Sequence, residues 1–158
     1  MVKFNNKLSK LILILGFGLF SMSLYCQTNH QYIKKYTPLA KQLSSKYKIP
    51  VPIILGIAIF ESDYGRSKVA KTLNNHFGIE GKNHHKYKTR YRYFESIEVS
   101  YESFCKMVAK KNYYKALAGN PKYELWIQAM SKSGYSEVPD IWAKRLKLVI
   151  INNKLNEL

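Results

Sequence analysis

The segment that most constrains this chain is Ile53-Ile54-Leu55-Gly56-Ile57-Ala58-Ile59-Phe60, an unbroken apolar run that ends on a single carboxylate, Glu61, and passes at once into Ser62-Asp63-Tyr64-Gly65. Pro52 is placed to open a helix, since its fixed φ and missing N–H cost nothing in a first turn, and the Ser-Asp-Tyr-Gly sequence reads as the turn that closes it. A carboxyl group backed by Leu55, Ile57, Ile59 and Phe60 loses hydration when charged, so its pKa is expected to rise toward neutrality. Proton donors in glycosidic bond cleavage are tuned in this way.

The rest of the chain reads as helices with one extended interruption. Tyr32, Tyr36, Leu39, Ala40, Leu43 and Tyr47 recur at three- and four-residue steps, the spacing of an amphipathic helix. Thr37 and Pro38 are expected to break it and restart it, as N-cap and first helical residue. A short helix is expected near Ser67 to Leu73. Asn74 to Ile79 leaves helical periodicity and enters a small polar lobe, in which Gly81 to Arg90 forms an exposed loop or short hairpin. Three further helices are expected. One has Ser96 as cap and Ile97, Tyr101, Phe104, Cys105 and Val108 along it. The next starts at Asn120-Pro121 with Leu125, Trp126, Ala129 and Met130 on its apolar face. The last opens at Pro139 with Ile141, Trp142, Leu146, Val149 and Ile150 facing inward.

The 158 residues suffice for one domain with a hydrophobic core. Residues 1–26 are of another kind: Lys3, Lys7 and Lys10 precede an apolar run from Leu11 to Phe20 and then small and polar residues, the pattern of a secretory signal peptide. Cleavage before Gln27 leaves a single domain over 27–158, and the expected location is outside the cytoplasm: periplasmic, envelope-associated or extracellular. A leader of this type also raises lipidation at Cys26, but Ser23-Leu24-Tyr25 lacks the small residue that such a site needs before its cysteine. Cys105 then remains alone, at an apolar helical position expected in the core. The net charge is +16, and +13 once the three leader lysines are removed. A field of that sign attracts polyanions, which for an exported protein are acidic wall or envelope polymers and not nucleic acid.

Three ordered segments carry a family resemblance. Tyr32 to Gly81 resembles the opening half of the bacterial glucosaminidase domain, glycoside hydrolase family 73. Tyr91-Arg92-Tyr93-Phe94-Glu95-Ser96 to Phe104 is similar to that family's aromatic-Arg-x-Tyr-x-Ser segment. Ser133-Gly134-Tyr135-Ser136-Glu137-Val138-Pro139 to Leu146 resembles its Gly-Tyr-Ala-x-x-Pro closing helix. The resemblance implies a mainly α (α+β), lysozyme-like architecture with a helical lobe, a small minor lobe and a groove between them. It implies a peptidoglycan hydrolase, an endo-β-N-acetylglucosaminidase acting on glycan strands, with Glu61 as proton donor. No cofactor and no obligate protein partner is implied.

Glycosidases commonly pair the acid with a second carboxylate, yet Gly81 to Phe94 contains none. The nearest candidates are Asp63, better suited to shaping the turn, and Glu80, at the edge of the lobe. Tyr135 is the non-carboxylate candidate for stabilising the reacting sugar. Tyr64 is expected to be an aromatic sugar platform, and Asn75, His76 and Phe77 are expected to line the groove. His30, His76, His84 and His85 show no metal-binding spacing, which speaks against metal binding and against a zinc-dependent amidase. Without a second acid, a lytic transglycosylase of the same architecture stays open, as does a noncatalytic wall-binding module.

Overall fold

The structure is a computed structural model that describes residues 29–83 and 88–158. The leader, Cys26 and the His84-His85 pair lie outside the described residues. Helix α1 occupies 29–47, followed by α2 (Val51–Ser62), α3 (Lys68–Leu73), α4 (Ile97–Ala109), α5 (Tyr114–Leu117), α6 (Tyr123–Lys132), α7 (Pro139–Asn152) and a 3-10 turn (Leu155–Glu157). No helix among the described residues is long and apolar enough to cross a membrane.

α2 is the axis of the molecule. Its residues from Ile53 to Ile59 are all buried, as a helix apolar on every face must be. α7 and α6 cover one side, α4 another, and Leu155 of the 3-10 turn packs beneath it. The approach of α7 depends on Gly56, where an added Cβ would stand 2.8 Å from Ile150 Cγ1. The helix ends at Asp63, whose left-handed φ of 50° closes the last turn, and Tyr64 and Gly65 are also at positive φ. Ser62 Oγ donates to the Ala58 carbonyl and accepts from Gly65 N. The Asp63 carboxylate is held by Arg66 at 2.6 and 3.2 Å. Asp63 therefore shapes the turn, as its side-chain type suggests.

α3 is capped by Ser67, which accepts from Ala70 N, and α4 by Ser96, which accepts from Val99 N. After α3 the chain forms the minor lobe, where residues around Glu80 and Tyr91 pair as an antiparallel bridge. Asn75 closes the base of this lobe. Its Nδ2 donates to the carbonyls of Ile79 and Arg92, and its Oδ1 accepts from Phe77 N and Ile79 N.

Four expectations are corrected. α1 runs through Pro38 without a restart, and Thr37 donates its hydroxyl to the Ile33 carbonyl one turn back instead of capping a new helix. α5 has no counterpart in the sequence reading. Ile141 and Leu125, expected to face inward, are 52% and 39% exposed, because the buried faces of α7 and α6 are set by Trp142, Leu146, Ile150 and by Trp126, Ile127, Met130.

Candidate active site

Glu61 lies in the last turn of the buried helix, half-buried where the helical lobe meets the minor lobe. Burial pushes its carboxyl above the usual range, and a hydrogen bond from Trp142 works weakly in the other direction. That contact joins Trp142 Nε1 to Glu61 Oε1 at 3.4 Å. Trp142 belongs to the first turn of α7, is itself buried, and packs at 5.0 Å against the ring of Tyr135.

The other carboxyl oxygen faces the minor lobe. A Cβ built on Gly78 would stand 3.6 Å from Glu61 Oε2 and 4.0 Å from Tyr91 Cε1, so Gly78 forms the floor of a narrow space between the acid and the Tyr91 ring. Gly78 also has a φ of 62°, a conformation that glycine enters without a side-chain penalty.

Glu80 is brought to this space by its bridge with Tyr91. The flanking bonds run from Gly81 N to the Arg90 carbonyl (3.0 Å) and from Arg92 N to the Ile79 carbonyl (2.8 Å), which makes Glu80 and Tyr91 a non-hydrogen-bonded pair with side chains adjacent on one face. Tyr91 reaches Gly78, and Gly78 borders Glu61. Glu80 thus shares a face of the minor lobe with Tyr91, whose ring lies near the Gly78 position beside Glu61. Its carboxylate is exposed and paired with Arg90 Nε at 3.1 Å.

Tyr135 completes the cluster. Burial and the nearby Glu61 charge hold its hydroxyl well above the ordinary phenol range. At neutral pH it stays protonated and can offer an O–H to a sugar or a water, but it cannot supply a negative charge.

The remaining expected contacts are placed elsewhere. Asn75, His76 and Phe77 are all in the interior, 1%, 2% and 3% exposed, so their expected role as groove lining is corrected. Asn75 is fully engaged with backbone. His76 Nδ1 meets Tyr32 Oη at 2.7 Å, and Tyr32 Oη meets Tyr101 Oη at 2.8 Å. Phe77 stacks on Phe104 at 4.4 Å. What these residues do is hold the Gly78–Glu80 backbone in front of Glu61. Tyr64 turns away from the acid: its hydroxyl donates to Asn153 Oδ1 at 2.9 Å, at the far end of α7. Eleven residues of helix separate that point from Trp142, about 16 Å at 1.5 Å per residue. Tyr64 is therefore not a platform beside the acid.

Sequence reasoning took Trp142 as core packing and Tyr91 only as part of a motif, and so missed their contact with the site. The available signal was that both lie in the segments that resemble the family, flanking the lobe on either side. Among the described residues no group of three or more His, Cys, Asp or Glu could hold a metal ion. Cys105 is buried and its thiol is pushed up to about 12 by that burial, which leaves it without the thiolate a peptidase would need.

A buried helix that ends on one carboxyl of raised pKa, beside a minor lobe closed by a single antiparallel bridge, is the arrangement of a lysozyme-like fold. The chain belongs to the glucosaminidase family, described as mannosyl-glycoprotein endo-β-N-acetylglucosaminidase, which matches residues 37–155. It is 30% identical to the exo-glucosaminidase LytG of Bacillus subtilis (strain 168), a match that covers 80% of this chain and 52% of that protein. The chain thus spans about half the length of this curated relative. The catalytic domain of the autolysin Auto from Listeria monocytogenes has the same fold, with a TM-score of 0.68 at 19% identity over 82% of this chain and 86% of that one. So does a chain of a type VI secretion system effector–immunity complex from Pseudomonas protegens, with a TM-score of 0.65 at 24% identity over 82% and 93%.

Proposed function

We propose that this protein is an exported peptidoglycan hydrolase, an endo-β-N-acetylglucosaminidase that cuts the β-1,4 bond on the reducing side of N-acetylglucosamine with Glu61 as general acid. The observation that carries the reading is the seating of Glu61: a carboxyl of raised pKa at the end of a buried helix, with one oxygen facing Gly78 of the minor lobe. Family membership and the likeness to LytG support the sugar specificity.

The chemistry follows from the side chains. A glycan strand in the gap meets the protonated Glu61, which gives its proton to the bridging oxygen as the bond to C1 breaks. The sugar left behind carries oxocarbenium-like charge, which asks for an opposing carboxylate or a polarised neighbour. Glu80 is the carboxylate on the facing lobe, and in this reading it detaches from Arg90 to orient a water or face the sugar ring. Tyr135 contributes a neutral O–H. The excess of lysines and arginines draws the protein to acidic wall polymers, and the basic, then apolar first 26 residues support export.

Mass spectrometry of sugar ends tests this. Residues 27–158 and a Glu61→Gln version are each incubated with intact peptidoglycan. New reducing N-acetylglucosamine ends on internal fragments, made only by the unmodified protein, are expected. Anhydro-muramic ends would instead identify a lytic transglycosylase, monosaccharides alone an exo enzyme, and free stem peptides an amidase. Binding without products would leave a wall-binding module.

A further inference from the structure

Glu61 presents its two oxygens to different surroundings. Oε1 accepts the indole N–H of Trp142 at 3.4 Å, from a ring that is buried in the first turn of α7 and braced at 5.0 Å by Tyr135. Oε2 faces Gly78 of the minor lobe, where a Cβ would stand 3.6 Å from Oε2 and 4.0 Å from the ring of Tyr91. The Gly78 backbone is held there by Asn75, which binds both strands of the lobe.

We propose that the two oxygens of Glu61 have separate jobs: Oε2 delivers the proton through the gap left by Gly78, and Oε1 is anchored by Trp142, which acts as a positioning residue for the reaction. This rests on the glycosidase reading above. In the step itself the proton on Oε2 passes to the bridging oxygen, and the electron pair of the C1–O bond leaves with that oxygen. The electron pair of the Oε2–H bond stays on Glu61 as carboxylate charge. That charge is shared with Oε1, where the indole N–H already points at it, so stabilisation grows as the proton departs, which is where an interaction accelerates a reaction. Water then adds its oxygen to C1 and gives its proton to the opposing carboxylate, Glu80 in the reading above, and solvent returns a proton to Glu61 before the next turnover.

Two consequences separate this from a merely structural tryptophan. Phe at position 142 keeps an aromatic ring against Tyr135 but has no N–H. Without that donor the ionised carboxylate is less favoured, so Glu61 holds its proton to higher pH. Activity requires the protonated acid, so the alkaline limb of kcat/KM moves to higher pH in Trp142→Phe while the plateau kcat falls by up to about a hundredfold, the scale on which positioning errors act. Gly78→Ala places a methyl in the gap at a φ of 62°, where a side chain also strains the backbone, so its melting temperature is matched against that of the unmodified protein before its rate is compared. It lowers kcat/KM and leaves the alkaline limb where the unmodified protein has it.

The experiment is a pH–rate profile on peptidoglycan for the unmodified protein, Trp142→Phe and Gly78→Ala. It is paired with a carbon-13 NMR titration of the Glu61 carboxyl in the folded, substrate-free proteins. The expected result is an upward-shifted limb and carboxyl titration in Trp142→Phe alone. A Trp142→Phe protein whose limb and titration both match the unmodified protein would overturn the proposal and reduce Trp142 to packing. A Gly78→Ala protein with unaltered kcat/KM would overturn the assignment of Oε2. If the unmodified protein releases no glycan ends while the carboxyl titration still shifts in Trp142→Phe, the glycosidase reading fails and the proposal's catalytic half falls with it, leaving the Trp142–Glu61 contact measured independently.

Discussion

Gly56 is where the two halves of the active site are fixed to each other, and replacing it by alanine sets two effects of known size in opposition. Glycine inside a helix is worse than alanine by about 0.5–1 kcal/mol, so on propensity alone Gly56→Ala stabilises α2. The structure opposes this: the new Cβ would lie 2.8 Å from Ile150 Cγ1 and 3.3 Å from both Ile150 Cδ1 and Leu146 Cδ1. Real Cβ contacts do not come that close. Ile150 is a β-branched residue that is itself fully buried, with little rotamer freedom to yield, so α7 itself must shift. Overpacking of this kind costs about 1–3 kcal/mol, and the net expectation is a loss of about 1 kcal/mol. Because α2 carries Glu61 and α7 carries Trp142, the same shift lengthens their 3.4 Å contact, and kcat falls as well. Urea unfolding of the unmodified protein, Gly56→Ala, Ile150→Ala and the double variant measures the clash directly. The alanine methyl occupies part of the space vacated at Ile150, so the double variant is expected to be about 1–2 kcal/mol more stable than the two single losses predict. Stabilisation by Gly56→Ala, with strict additivity in the double variant, would refute the close-approach argument.

Three more expectations follow from the site and its support. His76 is held to about 4 by burial, reinforced by the nearby Lys35 charge and opposed only slightly by Glu98; a depressed histidine gives stability that is complete above its unfolded value near 6.5 and lost as pH falls toward 4, about 3 kcal/mol in all, and an imidazole NMR midpoint near 6.5 in the folded protein would contradict this. Glu61 is raised instead, so its fold penalty is absent below the ordinary carboxylate range and grows as pH rises through its folded value; Glu61→Gln, which never ionises, is expected to melt higher than the unmodified protein at pH 7 and level with it near pH 3.5, by about 1.4 kcal/mol for each pH unit that the titration is lifted, and equal melting at both pH values would show that the carboxyl is well solvated. Glu80→Gln keeps the shape of the bridge with Tyr91 but not the charge, and is expected to lower kcat by about a hundredfold, the lower range for a general base, with KM little changed; full activity in this variant would hand the second role to the substrate's own acetamido group.

The parts of the fold that were legible in the sequence are those fixed by neighbours along the chain. Pro52 and the apolar run specify α2, Ser67 and Ser96 specify two helix starts by their side-chain chemistry, and Glu61 is marked by standing as the single carboxylate at the end of that run. What was not legible depends on partners far away in sequence. Pro38 looks like a break, but α1 packs Tyr32, Tyr36, Ala40 and Leu43 into the core on both sides of it, and that burial outweighs the loss of one backbone bond. Asn75 and His76 look like surface residues because polar side chains usually are, yet each finds its partners across the fold: Asn75 on Ile79 and Arg92, His76 on Tyr32, forty-four positions earlier. Ile141 and Trp142 are adjacent, and the sequence offers no reason for one to face water and the other the acid until the position of α7 on Gly56 is known.

The same reasoning bears on the second catalytic group, which composition alone left open. A hydroxyl that burial keeps protonated cannot act as a countercharge, so Tyr135 complements a carboxylate without replacing one. Asp63 is committed to Arg66 in the turn. Glu80 shares a face of the minor lobe with Tyr91, and its partner Arg90 is an exposed side chain on an exposed pair, the kind of ion pair that contributes little to stability. Breaking it to meet a substrate therefore costs little beside the charge stabilisation that a desolvated sugar cation would return.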